Sequence, residues 1–308
     1  MMNKKFLIVE IIGVFVVSVF VVCIYTKDRE PAGQETGKLF EWTKESGTRI
    51  EDGVSSATIF IDDMYVMYYT AGGGIWAAKS YDGLTFEKVG IVVGAGEAGS
   101  QQEMVTNPAI IKLSDNGYRM IYEGSQMLTE RQDRRLFSAF SADGFNWVKE
   151  NGVRFQDYGD DKPGELFTSV PDTIWLENGD LRMYYTRGTT SATALSQDNG
   201  VTWTKEGNLD LGRIAIDPDI VRLADGSYKL FFTTFDSEFG VGKQYVMSAS
   251  STDGVTFILD SGKRLEPSAG KELVTDPDIV QLLDGSYRMY YGETGTDMIF
   301  NINSAISE

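Results

Sequence analysis

The chain has 308 residues, 42% of them apolar and 12% aromatic, with a formal net charge of -17 at pH 7. That much apolar material is enough for a large folded core, whereas the negative charge disfavours nucleic acid and anionic membrane surfaces as partners. Histidine is absent, which excludes the commonest general base and any histidine-ligated metal site.

The first predicted element is a membrane-spanning helix. An apolar run from Phe6 to Tyr25 follows Lys4 and Lys5, and its length matches the roughly 20 residues that a helix needs to cross a bilayer. The lysines predict that the N-terminus lies inside the cytoplasm and the rest of the chain outside it. Two alternatives stay open: a cleaved signal peptide that leaves a secreted protein, and a lipoprotein signal acylated at Cys23.

This pattern divides the chain into three regions. Residues 1–25 are predicted to be a transmembrane signal-anchor, residues 26–38 a polar linker, and residues 39–308 one folded domain outside the cytoplasm. The single cysteine lies in the first region, so the folded domain is predicted to contain no disulfide.

The folded domain is built from an internal repeat. Five times, a turn leads into a strand that carries a pair of aromatic or apolar residues, and in four copies the turn contains Asn-Gly or Asp-Gly, a strong hairpin signal. The pairs are Tyr68-Tyr69, Ile121-Tyr122, Tyr184-Tyr185, Phe231-Phe232 and Tyr290-Tyr291. An apolar strand precedes each pair, and a second turn with Ser-x-Asp follows it in the first four copies. Each copy therefore predicts four antiparallel strands, A to D.

Four strands in each of five copies predict an all-β fold, a five-bladed β-propeller with four-stranded antiparallel blades. The last copy ends at Glu308, before its fourth strand. The segment of about residues 39–45 is predicted to complete that blade, because Trp42-Thr43-Lys44-Glu45 repeats Trp203-Thr204-Lys205-Glu206. A ring closed in this way leaves no open sheet edge at the seam.

In this geometry the start of each A strand and the end of each B strand lie at the mouth of the central channel. The Ser-x-Asp-Gly turns lie on the opposite face. The residues predicted at the mouth are Asn107, Asp172, Asp217, Asp219, Asp276 and Asp278 on A strands, Glu165 and Arg213 just before A strands, and Glu123, Arg187 and Glu293 near the ends of B strands.

Most of these side chains are carboxylates, and crowded carboxylates have pKa values that move apart, so that one serves as an acid and another as a base or nucleophile. Cleavage of a glycosidic bond requires such a pair. The same residue types are also typical of turns and strand caps bonded to backbone N–H groups. Both interpretations stay open. No cofactor is predicted, although hard oxygen ligands make calcium in the channel a further alternative.

The sequence resembles the five-bladed propeller glycoside hydrolases, the group that includes families 43, 32, 117 and 130, over about residues 39–308. The resemblance rests on Asp217-Pro218 and Asp276-Pro277 at A-strand starts, on the Asp-Gly-x-Tyr-x-Met-Tyr-Tyr hairpins, and on the Ser-x-Asp-Gly-x-x-Trp turns. The turn from Ser196 to Trp203 is similar to the Asp-box of sialidases.

The Asp-Pro motif implies catalytic carboxylates at Asp217 and Asp276. The motif does not identify the acid, for which Glu165 is the first choice and Glu123 or Glu293 the alternatives, and the other residues at the mouth are predicted to bind substrate. The sequence departs from the family 43 pattern at Ser55-Ser56, where that family places its base, and it contains no Glu-Gly-Pro motif.

The predicted function is therefore hydrolysis or binding of a carbohydrate at the mouth of the channel by paired carboxylates. Whether the protein is an enzyme stays open. The alternative is a surface-anchored, non-catalytic propeller that binds a glycan or a protein. We expect a monomer that contacts the membrane only through its N-terminal helix and does not bind nucleic acid.

Overall fold

The computed structural model describes residues 40–114, 117–126, 133–160, 164–237 and 242–307. These residues form twenty β-strands and no helix, which confirms the predicted all-β class. Within them, no helix is long and apolar enough to span a membrane. The predicted transmembrane helix, residues 6–25, lies outside the described residues, as do Cys23 and the linker. The location of the body outside the cytoplasm stays a prediction.

The strands pair mainly with their neighbours along the chain. The first strand is β1 (Thr43–Lys44). The next four are β2 (Val54–Ile61), β3 (Met64–Ala71), β4 (Gly74–Ser80) and β5 (Glu87–Val93). They are followed by β6 (Met104–Lys112), β7 (Tyr118–Ser125), β8 (Arg134–Ser141) and β9 (Val148–Lys149), and then by β10 (Ser169–Trp175), β11 (Leu181–Arg187), β12 (Thr190–Ser196) and β13 (Thr204–Asn208). The last seven are β14 (Ile216–Arg222), β15 (Tyr228–Phe235), β16 (Gln244–Ser251), β17 (Ile258–Leu259), β18 (Leu273–Gln281), β19 (Tyr287–Thr294) and β20 (Asn301–Ser307).

The predicted division into five separate four-stranded blades is wrong. The described strands form three four-stranded sheets, β2–β5, β6–β9 and β10–β13, and one eight-stranded sheet that contains β14–β20 and β1. The larger sheet is continuous because β16 pairs in parallel with β18 at Gln244 and Leu273, where the Gln244 N–H also donates to the backbone oxygen of Glu272 at 3.2 Å. In the same sheet, β1 pairs with β20 through Thr43–Ile306 and Lys44–Ala305.

Five strands, β2, β6, β10, β14 and β18, contact one another in a closed circle at the centre of the molecule, and we call them the inner strands. Large aromatic side chains fill the space between consecutive sheets. The hydroxyl groups of Tyr68, Tyr184 and Tyr290 cross that space and donate to backbone oxygens of Gly144, Gly254 and Gly83 in the neighbouring Ser-x-Asp-Gly turns. The aromatic residues therefore both pack the core and hold the turns.

Paired arginine and glutamate residues fasten the outer part of the fold. Arg288 donates from Nε and Nη2 to the two carboxylate oxygens of Glu45 at 2.8 and 2.9 Å, and its Nη1 donates to the backbone oxygen of Asp82 at 3.2 Å. Arg182 makes the same fork with Glu206. Because Glu45 directly follows β1 and Asp82 follows β4, Arg288 joins the last sheet to the first.

We expect Arg288→Lys to lower the free energy of unfolding by about 1–3 kcal/mol, because an ammonium group cannot reproduce the planar fork to Glu45. Urea denaturation followed by tryptophan fluorescence measures the change. The matched control is Arg222→Lys, since the Arg222 pair with Glu177 lies at an exposed carboxylate and should contribute less than about 0.5 kcal/mol. Equal effects of the two substitutions would contradict the role of Arg288 in closing the ring.

Candidate functional site

A β-bulge interrupts every inner strand near its start. In each bulge one residue has a positive φ, between 42° and 52°, which is uncommon for a residue other than glycine. The five residues are Ser55, Asn107, Val170, Asp217 and Asp276. Strand pairing shifts register at each of these positions. Bulges of this kind re-aim a side chain, and all five residues line one cavity.

The cavity encloses about 260 Å³ at one end of the ring of inner strands. Three phenylalanines, Phe167, Phe235 and Phe300, form part of its wall, together with aliphatic residues from several sheets. Its ionisable residues are Glu123, Arg134, Asp217 and Asp276. A concave, largely apolar site with a few convergent polar groups is the usual form of a small-molecule site.

Asp217 lies at the start of β14 and is only 7% exposed. Its Oδ2 accepts hydrogen bonds from the hydroxyl groups of Thr233 at 2.5 Å and Thr275 at 2.9 Å. The backbone N–H of Asp217 donates to Thr186 Oγ1 at 2.8 Å, which fixes the bulge. The carboxylate is therefore held by side-chain donors at the floor of the cavity.

Asp276 occupies the equivalent position of β18 and is 8% exposed. Its Oδ2 lies 3.0 Å from Thr275 Oγ1, the same hydroxyl oxygen that lies 2.9 Å from Asp217 Oδ2. The two carboxylate oxygens are therefore at most about 6 Å apart, bridged by one hydroxyl group.

Burial raises the pKa of both carboxyl groups. For Asp276 the negative charge of Asp217 adds to burial and holds the pKa well above its usual range. For Asp217, hydrogen bonds from Thr233 and Thr275 and the charge of Arg134 offset part of the effect of burial on its pKa. The two aspartates thus differ in what stabilises their charged forms, although their backbone positions are equivalent.

Glu123, on β7, is a third buried carboxylate in the cavity. Its Oε2 accepts hydrogen bonds from Asn107 Nδ2 at 2.8 Å and from the Ser169 hydroxyl. Its Oε1 lies 3.7 Å from Arg134 Nη1, and the Arg134 guanidinium also stacks 4.5 Å from the ring centre of Phe167. These partners fix Glu123 and place one cation in the cavity wall.

The second aspartate of each Asp-Pro-Asp, and Asp172 in the third sheet, do not line the cavity. Each instead accepts a hydrogen bond from a backbone N–H of the next inner strand. Asp172 accepts from Ile220 at 2.8 Å, Asp219 from Ile279 at 3.2 Å, and Asp278 from Thr58 at 3.2 Å. We call Asp172, Asp219 and Asp278 the channel aspartates. They tie consecutive inner strands together, which matches the strand-cap interpretation left open by the sequence.

Burial raises the pKa of all three channel aspartates, that of Asp172 to about 7. The pKa of Asp219 is raised well above its usual range by burial and then by the charges of Asp172 and Asp278. Asp219 Oδ1 is buried with no hydrogen-bond partner among the described residues. In the described ranges, no group of three or more aspartate, glutamate, histidine or cysteine side chains is arranged to hold a metal ion.

The structure places the other predicted residues outside the cavity lining. Arg187 donates to Asp157 Oδ2 at 3.0 Å, and Arg213 donates to Thr234 Oγ1 at 3.1 Å. Glu293 accepts from Lys44 Nζ at 2.9 Å and from the Ser268 N–H at 2.7 Å. Glu165 lies before β10, where its backbone oxygen accepts from the Gly159 N–H at 3.0 Å.

Several cavity residues were not predicted. They are Ser169, Arg134, Gln244 and Thr275, with Thr233 bonded to Asp217 just behind the lining. Thr275 directly precedes Asp276, so the Thr-Asp-Pro motif carried a signal for it. Arg134 and Gln244 begin the C strands β8 and β16, and nothing in the repeat distinguishes them from surface residues.

We expect Asp219→Asn to stabilise the protein at pH 7 by about 1–3 kcal/mol, because the amide avoids the cost of keeping this buried carboxyl protonated or charged above the unfolded pKa and keeps one oxygen for the Ile279 N–H. A carboxyl whose pKa is raised by folding contributes stability below the unfolded pKa of about 3.9 and loses it as the pH rises toward the folded pKa. The gain from Asp219→Asn should therefore shrink toward pH 4. Urea denaturation from pH 4 to pH 8 measures it, with exposed Asp210→Asn as the control. A gain that is independent of pH would contradict this assignment.

No family model matches the chain, and no curated protein matches it. Several solved structures are similar to the chain. A thermostable family-43 glycoside hydrolase has a TM-score of 0.67 at 14% identity, covering 85% of this chain and 91% of its own. An endo-arabinase from Bacteroides thetaiotaomicron has a TM-score of 0.66 at 13% identity, covering 85% and 97%.

A third similar structure comes from the GH130 family of mannoside phosphorylases, described as containing glycoside hydrolases that target β-1,2 mannosidic linkages in Candida mannan. It has a TM-score of 0.64 at 19% identity, covering 84% of this chain and 85% of its own. At these identities the likeness concerns the fold alone. The resemblance to propeller glycoside hydrolases predicted from the sequence is confirmed at that level: the chain has the fold of these enzymes.

Proposed function

We propose that the protein hydrolyses a glycosidic bond in the cavity, with Asp276 as the proton donor and Asp217 as the carboxylate that acts at the anomeric carbon. The observation that carries this proposal is the pair itself. Two buried carboxyl groups open into one cavity, lie at most about 6 Å apart, and are bonded mainly by side-chain hydroxyls. The channel aspartates differ from this pair because none of them lines the cavity.

Asp276 is suited to donate a proton. Burial and the charge of Asp217 raise its pKa well above the usual range, so the carboxyl keeps its proton at a pH where an exposed aspartate is ionised. A carboxylic acid that stays protonated near neutral pH can protonate the leaving oxygen of a glycoside. We therefore move the role of acid from Glu165, which lies outside the cavity lining, to Asp276.

Asp217 is suited to carry the negative charge. Thr233 and Thr275 donate to its Oδ2, and the charge of Arg134 lowers its pKa against the effect of burial. Retaining glycosidases place their two carboxyl groups about 5–5.5 Å apart, and the upper bound of about 6 Å on this pair allows that separation. Proton donation by Asp276 leaves a carboxylate that the Ser55 hydroxyl can stabilise.

The remaining cavity residues fit a carbohydrate. Aromatic side chains such as Phe167, Phe235 and Phe300 pack against the apolar faces of sugar rings, and Glu123 with Asn107 presents polar atoms that can bond hydroxyl groups. The similar solved structures are glycoside hydrolases, which supports a carbohydrate as the partner.

A second function, carbohydrate binding without cleavage, is favoured by a different observation. At the bulge position that carries Asp217 and Asp276, the other inner strands have Ser55, Asn107 and Val170. Three of the five bulges therefore present no ionisable group, and only two of the five equivalent positions supply a carboxylate for catalysis.

We expect the full chain to hydrolyse at least one member of a panel of 4-nitrophenyl glycosides. Asp217→Asn and Asp276→Asn should each lower kcat by about 10²–10⁴-fold, because each amide can neither donate a proton as an acid nor carry the charge of a carboxylate. Release of 4-nitrophenol measures turnover. Asp284→Asn, in an exposed turn, is the control and should retain full activity.

A binding measurement distinguishes hydrolysis from carbohydrate binding without cleavage. If the wild-type chain binds oligosaccharides on a glycan array and hydrolyses no glycoside in the panel or on the array, the binding function holds and hydrolysis is rejected. If both asparagine variants retain turnover while folding normally, the assignment of the pair is wrong.

A further inference from the structure

One hydroxyl group, that of Thr275, lies between the two carboxyl groups of the pair. Its Oγ1 is 2.9 Å from Asp217 Oδ2 and 3.0 Å from Asp276 Oδ2. A hydroxyl has a single proton to donate and can accept through its lone pairs. It can therefore donate to only one of the two carboxyl groups, and its bond to the other requires that carboxyl to be the donor.

The surrounding hydrogen bonds decide the direction. Gln244 Nε2 donates to Thr233 Oγ1 at 2.9 Å, and the Thr233 hydroxyl lies 2.5 Å from Asp217 Oδ2. Gln244 Nε2 also lies 3.4 Å from the same carboxylate oxygen. Besides Thr275, Asp217 thus has Thr233, Gln244 and the Asp276 N–H as donors, whereas Asp276 has the Ser55 hydroxyl. The larger number of donors makes Asp217 the better-stabilised carboxylate and the acceptor from Thr275.

We infer that Thr275 is a positioning residue that orders the pair: its hydroxyl accepts a hydrogen bond from the protonated carboxyl of Asp276 and donates its own proton to the carboxylate of Asp217. The proton stays on Asp276 and the charge on Asp217. This deepens the proposed function, on which its catalytic consequence rests, by naming the group that decides which carboxyl is the acid. The arrangement itself does not depend on turnover.

Removing the hydroxyl should weaken this distinction. Asp217 would lose a donor to its charged form, and protonated Asp276 would lose its acceptor. The other charged groups facing the pair are Glu123 on β7 and Arg134 on β8, and both remain in place in a Thr275 variant. Valine has the shape of threonine and suits a β-strand, so Thr275→Val tests the hydroxyl alone.

The test is a pH titration of the full chain labelled with ¹³C at aspartate side-chain carboxyls, followed by NMR, with Asp217→Asn and Asp276→Asn used to assign the two signals. In wild type the pair should titrate in two separated steps. In Thr275→Val the two midpoints should move toward each other, the lower one rising by about one pH unit, the size expected for one lost hydrogen bond to a charged group. Thr275→Ser, which keeps the hydroxyl, should restore the wild-type separation.

Midpoints in Thr275→Val that match wild type, or a Thr275→Ser titration that matches Thr275→Val, would overturn the inference. If a glycoside is hydrolysed, the apparent pKa of the acid limb in the pH profile of kcat/KM should rise by the same amount in Thr275→Val. In Thr275→Ser this apparent pKa should return to the wild-type value. Absence of hydrolysis would count against the proposed function and leave the titration as the test of Thr275.

Discussion

The β-bulge at the start of each inner strand is the constraint on which the arrangement of this site depends. A single residue in the left-handed region turns its side chain toward the cavity, and in the last three inner strands the residue two positions later bonds the next inner strand. At Val170 this conformation is costly, on the order of 1–3 kcal/mol, since the side chain is β-branched. The bulge thus separates residues that can act on a ligand from residues that join the sheets, within one short motif.

The consequence is a set of five aspartates on the inner strands, in two different settings. The channel aspartates accept hydrogen bonds from backbone N–H groups of the next inner strand, to which Asp278 adds one from the Thr58 hydroxyl, and so join consecutive inner strands. Asp217 and Asp276 are bonded mainly by hydroxyl groups and open into the cavity. Buried carboxyl groups destabilise the folded protein when they ionise. Clusters of such destabilising groups are typical of functional sites.

The sequence predicted the strand repeat, the all-β class and the region where the site lies, because Asn-Gly and Asp-Gly turns and buried aromatic pairs are local signals. It could not distinguish Asp217 from Asp219, since their roles depend on a bulge that no residue type announces. The single eight-stranded sheet was missed because it depends on one backbone bridge between Gln244 and Leu273, which side-chain patterns do not encode. Arg134 joins the cavity only through the packing of β8 against Phe167.

The central claim is that Asp217 and Asp276 share one proton at the floor of the cavity, held on Asp276. Neutron diffraction from a deuterated crystal of the wild-type chain near pH 6 would locate that proton directly. We expect a deuteron on the Asp276 carboxyl, none on Asp217, and the Thr275 hydroxyl deuteron directed at Asp217. Two carboxylates without deuterons, or a deuteron on Asp217 in place of Asp276, would contradict it.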